Sequence, residues 1–275
     1  MRQYLHVLKD VLENGDPDRD TRNWPTTALF DREMVFDLAD GFPIVTTKRV
    51  AFGFVKAELL WFISGSQDVN DLRKYGCTIW DANADDPHWK VKAEFDGDVG
   101  RIYGVQWRKW RKPDGTTIDQ LQQLIDGLKT KPYDRRHIVL AWNPGELDQM
   151  CLPPCHASFQ CFVEKGRLSL AMWQRSCDMF LGVPFNISSY ALLLAIVAQL
   201  AGLKPGKFYH HLGDTHIYQH PEHLAGVRLQ LTREPYPLPQ LLLNPEVKRI
   251  DDFKMDDIKL VGYQHHPVIK APMIV

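Results

Sequence analysis

The feature that most constrains the fold is an apolar segment at residues 187–203 that carries no charged side chain. A helix that is hydrophobic around its whole circumference has to be buried, so this segment predicts a core helix. No stretch of eighteen consecutive apolar residues occurs in the chain, and we therefore expect no membrane-spanning helix.

The remaining segments predict a mixture of helices and strands. The predicted helices cover residues 1–14, 52–64 and 118–128, and the predicted strands cover 34–38, 137–142, 157–164, 167–173 and 208–217, with short strands after 235. We expect an irregular loop over residues 18–27 and a polar surface excursion over 81–100. The order has no βαβ rhythm, glycine-rich dinucleotide loop or G-x-S-x-G elbow, which disfavours a Rossmann fold and a serine hydrolase.

Composition limits the partners. The 275 residues carry a formal net charge of -1, so no overall field attracts nucleic acid or an acidic membrane, and any anion must be bound by local arginines. The N-terminus lacks the long apolar run of a signal peptide. Five cysteines without framework spacing indicate reduced thiols, and we expect a cytoplasmic location.

The motif with the clearest chemistry is a cysteine in a proline turn, Leu152-Pro153-Pro154-Cys155-His156. A thiol is a good nucleophile only as the thiolate, and a guanidinium such as that of Arg175 favours the ionised form. Asp178 and Asn186 supply the carboxylate and amide needed to read a polar heterocycle. The set suggests covalent attack on an electron-poor ring carbon.

Three other groups of residues leave alternatives open. Glu58, in the apolar helix, lies either on a wet face or in a site as a buried acid. Arg135 and Arg136 are either solvated charge or a phosphate clamp at a strand entrance. The cysteines near His156 form at most a weakly indicated zinc site, because no C-x-x-C pair is present, and we expect no metal.

Ordered motifs along nearly the whole chain resemble those of the thymidylate synthase family. They are Asp40-Gly41-Phe42-Pro43, Thr46-Thr47-Lys48-Arg49, Glu58-Leu59-Leu60-Trp61-Phe62, Ile79-Trp80-Asp81, Tyr103-Gly104, Asp134-Arg135-Arg136, Pro154-Cys155-His156, Gln174-Arg175-Ser176, Gly182-Val183-Pro184-Phe185-Asn186, Gly213-Asp214-Thr215-His216-Ile217-Tyr218 and Lys270-Ala271-Pro272.

The resemblance implies an α/β (α+β) fold in which a large mixed sheet packs against its mate in a symmetric homodimer, with residues 1–275 forming a single catalytic domain. It implies that Cys155 adds to carbon 6 of dUMP. Carbon 5 would then take a one-carbon unit from 5,10-methylenetetrahydrofolate, the co-substrate.

The resemblance also implies roles for particular residues. Catalytic roles fall to Cys155, Glu58, Tyr103, His156, Arg175, Asp178 and Asn186. The dUMP site would comprise Arg22, Arg135, Arg136, Gln174, Arg175, Ser176, Asp178, Asn186, His216 and Tyr218, with Arg135 and Arg136 coming from the partner subunit. The folate site would comprise Ile79, Trp80, Asn83, Leu152, Asp178, Leu181, Gly182, Phe185 and Val275.

Departures from the family pattern cluster around phosphate closure and the folate entrance. The loop usually written Arg-Thr-Gly reads Asp20-Thr21-Arg22, so Arg22 would act from one position later. Arg101 stands where a proline is usual, and Asn83 replaces a tryptophan found in many bacterial members. Residues 85–96 extend a loop, and His211-Leu212-Gly213 replaces a double glycine.

The main functional hypothesis is thymidylate synthase, and the alternative is a dUMP hydroxymethylase in which water quenches the exocyclic methylene. Trp80 favours methylation, because in the family this indole limits water access, whereas the altered loops favour the alternative. A cytidylate hydroxymethylase is disfavoured by Asn186, where those relatives carry Asp. An RNA-binding regulator is disfavoured by the net charge and by the lack of a basic aromatic stripe.

Overall fold

The computed structural model describes residues 1–19, 21 and 24–274. Its α-helices are α1 Arg2–Asn14, α2 Phe52–Ser64, α3 Val69–Arg73, α4 Asp81–Ala84, α5 Pro87–Lys90, α6 Tyr103–Arg108, α7 Gln120–Thr130, α8 Gly182–Ala201 and α9 Pro221–Leu231. Its strands are β1 Asp16–Arg19, β2 Thr26–Asp37, β3 Trp110–Arg111, β4 Thr117–Ile118, β5 Ile138–Leu140, β6 His156–Glu164, β7 Arg167–Asp178, β8 Lys204–Tyr218, β9 Gln240–Leu243 and β10 Ile258–Val261. Short 3-10 turns lie at Leu38–Asp40, Leu147–Gln149, Ile250–Asp252 and Met255–Asp257.

A mixed six-stranded sheet organises the fold, with the strand order β1-β2-β8-β7-β6-β5. The β7 and β8 strands run parallel, and the other neighbours in this sheet are antiparallel. Two small antiparallel sheets of two strands each, β3 with β4 and β9 with β10, are separate from it. The predicted α/β (α+β) class with a large mixed sheet is confirmed.

Helix α8 fills the inner side of the sheet. Leu192, Leu193 and Ile196 have no solvent exposure, which confirms the predicted core helix. By length and composition alone α8 could cross a membrane, but 83% of its apolar window is buried inside the protein. The core helix of a globular protein shows this burial.

The outer side of the sheet is apolar and exposed. Alternation along the strands turns Leu168, Leu170 and Met172 inward, where they are fully buried. Side chains at the alternate positions point outward. Among them are Trp173 on β7 and Phe162 on β6, which are 48% and 63% exposed. One face of the large sheet therefore lies uncovered in the single chain.

Two glycines position the helices beside the sheet. Gly65 ends α2 in a left-handed conformation with φ of 66°, directly after the predicted end of this helix at residue 64. Gly104 lets α6 approach α2 closely, because a Cβ at this position would lie 2.4 Å from the carbonyl oxygen of Phe62. This close approach brings Tyr103, the first residue of α6, against the helix that carries Glu58.

Two of the predicted loops are wrong in part. Residues 81–100 contain α4 and α5, and Trp89 anchors the segment with an exposure of 6%. The Trp89 indole donates to the carbonyl oxygen of Asp98 at 2.8 Å. Residues 18–27 were expected to be irregular, yet β1 extends to Arg19 and β2 begins at Thr26, since backbone pairing overrides the turn-rich composition.

Candidate active site

Arg175 holds the proline turn that carries Cys155. Its Nε donates to the carbonyl oxygen of Pro154 and its Nη2 to that of Pro153, both at 2.9 Å. The Arg175 backbone N–H donates to the Cys155 carbonyl oxygen at 2.8 Å, and the guanidinium lies over the Trp142 ring. Arg175 therefore fixes the backbone on both sides of the thiol and brings a positive charge to it.

Tyr103 lies on the other side of the cysteine. Its hydroxyl oxygen accepts the Cys155 backbone N–H at 2.7 Å. Burial raises the pKa of the Cys155 thiol, while the Arg175 charge and the Tyr103 hydroxyl lower it, and burial prevails. Arg175 thus favours the thiolate, as the sequence suggested, but alone it does not offset desolvation. The thiolate needs a further stabilising charge or a base that takes its proton.

Glu58 and Trp80 form a hydrogen-bonded pair next to Tyr103. The Trp80 indole donates to Glu58 Oε1 at 2.7 Å. Burial raises the pKa of Glu58 to about 7, and the indole hydrogen bond only partly opposes that shift. Glu58 is therefore a half-buried acid with a raised pKa, which favours a site acid over a residue on a wet face and allows it to hold or release a proton near neutral pH.

Asn186 lies among buried polar side chains at the first turns of α8. Gln174 Nε2 donates to Asn186 Oδ1 at 3.0 Å. Burial lowers the pKa of His156 to about 4, and its hydrogen bond with Asn186 opposes this shift. His156 is therefore neutral at physiological pH, and its ring packs at a tilt against Tyr103 and edge-on against Tyr190.

Asp178 acts as a cap where β7 leads into α8. Its carboxylate accepts backbone N–H groups of Phe180 at 2.9 Å, Leu181 at 3.2 Å and Gly182 at 3.3 Å. Behind this turn the buried Lys48 donates to the Phe180 carbonyl oxygen. Capping of these backbone N–H groups therefore accounts for part of the role of Asp178.

The end of β8 carries a second polar chain. Asp214 Oδ1 lies 3.0 Å from His216 Nδ1, and Arg19 donates to Asp214 Oδ2 at 2.7 Å. His216 is 6% exposed and packs edge-on against the Tyr218 ring. The structure thus brings His216 and Tyr218 together and orients them through Arg19, which the sequence did not indicate.

Arg135 and Arg136 lie elsewhere, at the entrance of the edge strand β5. Both are exposed, and Arg136 is paired with the neighbouring Asp134 at 2.6 Å. The β5–β6 register places Ile138 opposite Gln160, so Arg136 lies toward Phe162. Seven residues of strand, roughly 20 Å, separate that end of β6 from Cys155. The fold does not bring these arginines to their own chain's thiol.

Several of the residues expected in the folate site are half-buried apolar side chains. Ile79, Leu152, Leu181 and Phe185 all pack against the core while keeping some exposure. These residues, with Gly182 at the start of α8, Asn83 in α4 and Ser176 in β7, are those expected to line the ligand sites. Arg22 and Val275 were also expected to act there, and both lie outside the described residues.

No cluster of three or more histidine, cysteine, aspartate or glutamate side chains able to hold a metal is found within residues 1–19, 21 and 24–274. Cys161 and Cys177 are buried, and burial raises the pKa of both thiols. Of the functional neighbours that the sequence did not reveal, His210 bonds Gln174 and Trp142 underlies Arg175. The alternating burial of β8 is the signal that places His210 inward.

The fold and site define a class of protein with a mixed sheet and a site that contains a thiol (Cys155), an arginine held by backbone carbonyls (Arg175) and a half-buried acid (Glu58). The family model for thymidylate synthase matches residues 2–275. The chain therefore belongs to the thymidylate synthase family. Membership implies a one-carbon transferase that acts on dUMP with methylenetetrahydrofolate as co-substrate.

Proposed function

We propose that this chain is a thymidylate synthase. It transfers and reduces the one-carbon unit of 5,10-methylenetetrahydrofolate at carbon 5 of dUMP, giving dTMP and dihydrofolate. The single observation that carries this choice is the Glu58–Trp80 pair, because Trp80 is 6% exposed and held in place by a hydrogen bond. A fixed indole beside the reacting carbon limits the access of water.

Cys155 is the proposed nucleophile toward carbon 6 of the pyrimidine. Arg175 already stabilises its thiolate, and a phosphate on the same guanidinium would leave the turn anchored through the Pro153 and Pro154 carbonyls. Tyr103 accepts the Cys155 N–H through its oxygen, which places the hydroxyl beside the proposed nucleophile. As the family resemblance suggested, we assign Tyr103 to assist proton removal at carbon 5.

Glu58 is the proposed acid–base group for the pyrimidine. Its pKa of about 7 allows it to exchange a proton near neutral pH without a large driving force. His156, neutral because burial holds its pKa at about 4, contributes packing and polarity. Methylenetetrahydrofolate, when bound, supplies both the carbon unit and the hydride, and we assign its ring system to the half-buried apolar side chains expected in the folate site.

A symmetric homodimer completes the proposed site. The exposed apolar side of the sheet, with Trp173 at 48% and Phe162 at 63% exposure, provides the surface against which the mate would pack. Arg135 and Arg136 lie at the edge of that surface, about one strand length from their own Cys155. We therefore assign them to the phosphate in the partner's site, as the family resemblance suggested.

The alternative is a dUMP hydroxymethylase, in which water attacks the exocyclic methylene. The observation that favours it is the altered folate entrance, where Arg101 donates to Glu146 at 2.7 Å and residues 81–90 form two short helices. Product analysis separates the two reactions. A synthase releases dTMP and dihydrofolate, whereas 5-hydroxymethyl-dUMP with tetrahydrofolate contradicts the proposal in favour of the alternative.

Three further assignments are proposals that rest on the sequence alone. We infer a single catalytic domain over residues 1–275, a cytoplasmic location and no role for nucleic acid as the main ligand. The near-neutral net charge supports the last of these. Binding assays with short RNA at physiological salt test it, and tight binding would contradict it.

A further inference from the structure

Two buried polar side chains connect the core of the sheet to the half-buried Asn186 in the proposed base site. His210 on β8 has no solvent exposure, and Gln174 on β7 is 2% exposed. His210 Nε2 lies 2.8 Å from Gln174 Oε1, and Gln174 Nε2 lies 3.0 Å from Asn186 Oδ1. The chain runs from a histidine that is fully buried in the sheet to the amide proposed to read the pyrimidine.

A backbone carbonyl fixes the orientation of the middle amide. The two ends of a glutamine amide have nearly the same shape, so hydrogen-bond chemistry must tell them apart. Gln174 Nε2 lies 2.9 Å from the carbonyl oxygen of Ser176, which can only accept. The nitrogen must therefore face Ser176 and Asn186, while Oε1 faces His210.

His210 reinforces this orientation from the opposite side. Burial holds the pKa of His210 well below its ordinary value, so the imidazole is neutral and carries one N–H. Gln174 Oε1 can only accept, which places that hydrogen on Nε2. A reversed Gln174 amide would place oxygen against oxygen at Ser176. It would also require His210 to carry its hydrogen on the buried Nδ1, which has no hydrogen-bond partner.

We propose that His210 is a positioning residue that, through Gln174, fixes the polarity of the Asn186 amide and thereby selects uracil over cytosine. The inference rests on the proposed function. Asn186 Oδ1 must accept from Gln174, which leaves its Nδ2 hydrogens for a ligand carbonyl. Uracil presents a carbonyl at position 4 and N–H at position 3, whereas cytosine presents an amino group and a bare nitrogen. A reversed Asn186 amide would suit cytosine.

The test is the preference for dUMP over dCMP, measured as the ratio of equilibrium dissociation constants and as the ratio of kcat/KM. His210→Phe keeps an aromatic ring of similar size and removes the N–H. We expect the preference to fall about tenfold, with dUMP weakened and dCMP improved. His210→Gln restores an amide N–H near the lost Nε2, and we expect it to recover most of the preference.

His223→Phe is the matched control. His223 is also fully buried, but its Nε2 contacts the carbonyl oxygen of Pro272 in the C-terminal segment. We expect any loss in this variant to affect both nucleotides equally, so that the preference is unchanged. An equal change of preference in both histidine variants would show a general packing effect and contradict the inference.

A double-mutant cycle with Gln174→Leu shows whether His210 acts through Gln174. Once the Gln174 amide is removed, His210→Phe should change the preference no further. An additional fall of the same size in that background would contradict the inference. If His210→Phe does not fold, Gln174→Glu tests the same orientation of the Asn186 amide. The glutamate presents an oxygen to Asn186 where Gln174 presents an N–H, so it favours the reversed Asn186 amide. This variant should favour dCMP, and an unchanged preference would contradict the inference.

Wild-type behaviour separates this inference from the proposed function. Wild-type protein that binds neither nucleotide contradicts the proposed function and the inference together. Wild-type protein that prefers dUMP, with an unchanged preference in His210→Phe, contradicts the inference alone.

Discussion

Replacing Glu58 by glutamine should change how stability depends on pH. Burial raises the pKa of Glu58 from its ordinary 4.5 to about 7. A group whose pKa is raised in the folded state stabilises the fold below its unfolded value, and this contribution is lost as pH rises through the folded value. At about 1.4 kcal/mol for each pH unit between the two values, the loss is about 3 kcal/mol. This is an upper value, because Glu58 keeps some solvent contact.

The assay is urea unfolding of the wild type and Glu58→Gln from pH 4 to 8.5. Glutamine keeps the shape of the side chain and an oxygen for the Trp80 indole, so the difference between the proteins isolates ionisation. We expect the difference in unfolding free energy to be constant below pH 4.5. Glu58→Gln should then gain up to about 3 kcal/mol relative to the wild type between pH 4.5 and 7, and no more above that.

Glu146→Gln is a control of opposite sign. Burial raises the pKa of Glu146, but hydrogen bonds from Gln106 and Arg101 outweigh burial, and the pKa is lowered. Removing this carboxylate should cost most at neutral pH and less as the pH falls through the acidic range. Parallel wild-type and Glu58→Gln curves across pH 4.5–7 would refute the reasoning that Glu58 is a half-buried acid with a raised pKa.

Three further predictions concern catalysis. Cys155→Ser should lose turnover almost completely, since a hydroxyl is a far weaker nucleophile than a thiolate, whereas Cys161→Ala should stay within about tenfold of the wild type in a steady-state assay. Mixing inactive Arg136→Ala with inactive Cys155→Ala subunits should restore activity to about a quarter of the wild type, because half the dimers then hold one complete site. No recovery despite mixing, verified by native mass spectrometry, would place Arg136 in its own chain's site or in none. Asn186→Asp should weaken discrimination against dCMP in competition kinetics, because a protonated carboxyl complements cytosine, and an unchanged preference would exclude Asn186 from base reading.

Local sequence signals predicted much of the architecture. The apolar run at 187–203 forms most of α8, which ends at Ala201, and α2 ends at Ser64 as predicted. Lys165 and Gly166 form the turn between β6 and β7, in the gap between the predicted strands 157–164 and 167–173, with φ of 49° and 73°. Each of these features depends on neighbours along the chain, so propensity and periodicity suffice to indicate them.

Features set by distant contacts were less accessible. The parallel pairing of β7 with β8 extends both strands beyond their apolar cores and brings His210 to Gln174. Because residues 81–100 are mostly polar, the sequence did not indicate that Trp89 would be buried. The motif residues placed Cys155 and Arg175 in one site, but the Arg175 bonds to the proline carbonyls depend on a backbone shape that sequence alone does not specify.

The most direct test of the account is the mass of a covalent complex. Wild-type protein is incubated with 5-fluoro-dUMP and methylenetetrahydrofolate, and its intact mass and peptide map are recorded. The account predicts an adduct containing one nucleotide and one folate on the peptide that carries Cys155, and none in Cys155→Ser. Folded wild-type protein that forms no adduct, or forms it on another cysteine, would contradict the assignment of Cys155 as the nucleophile that attacks the pyrimidine.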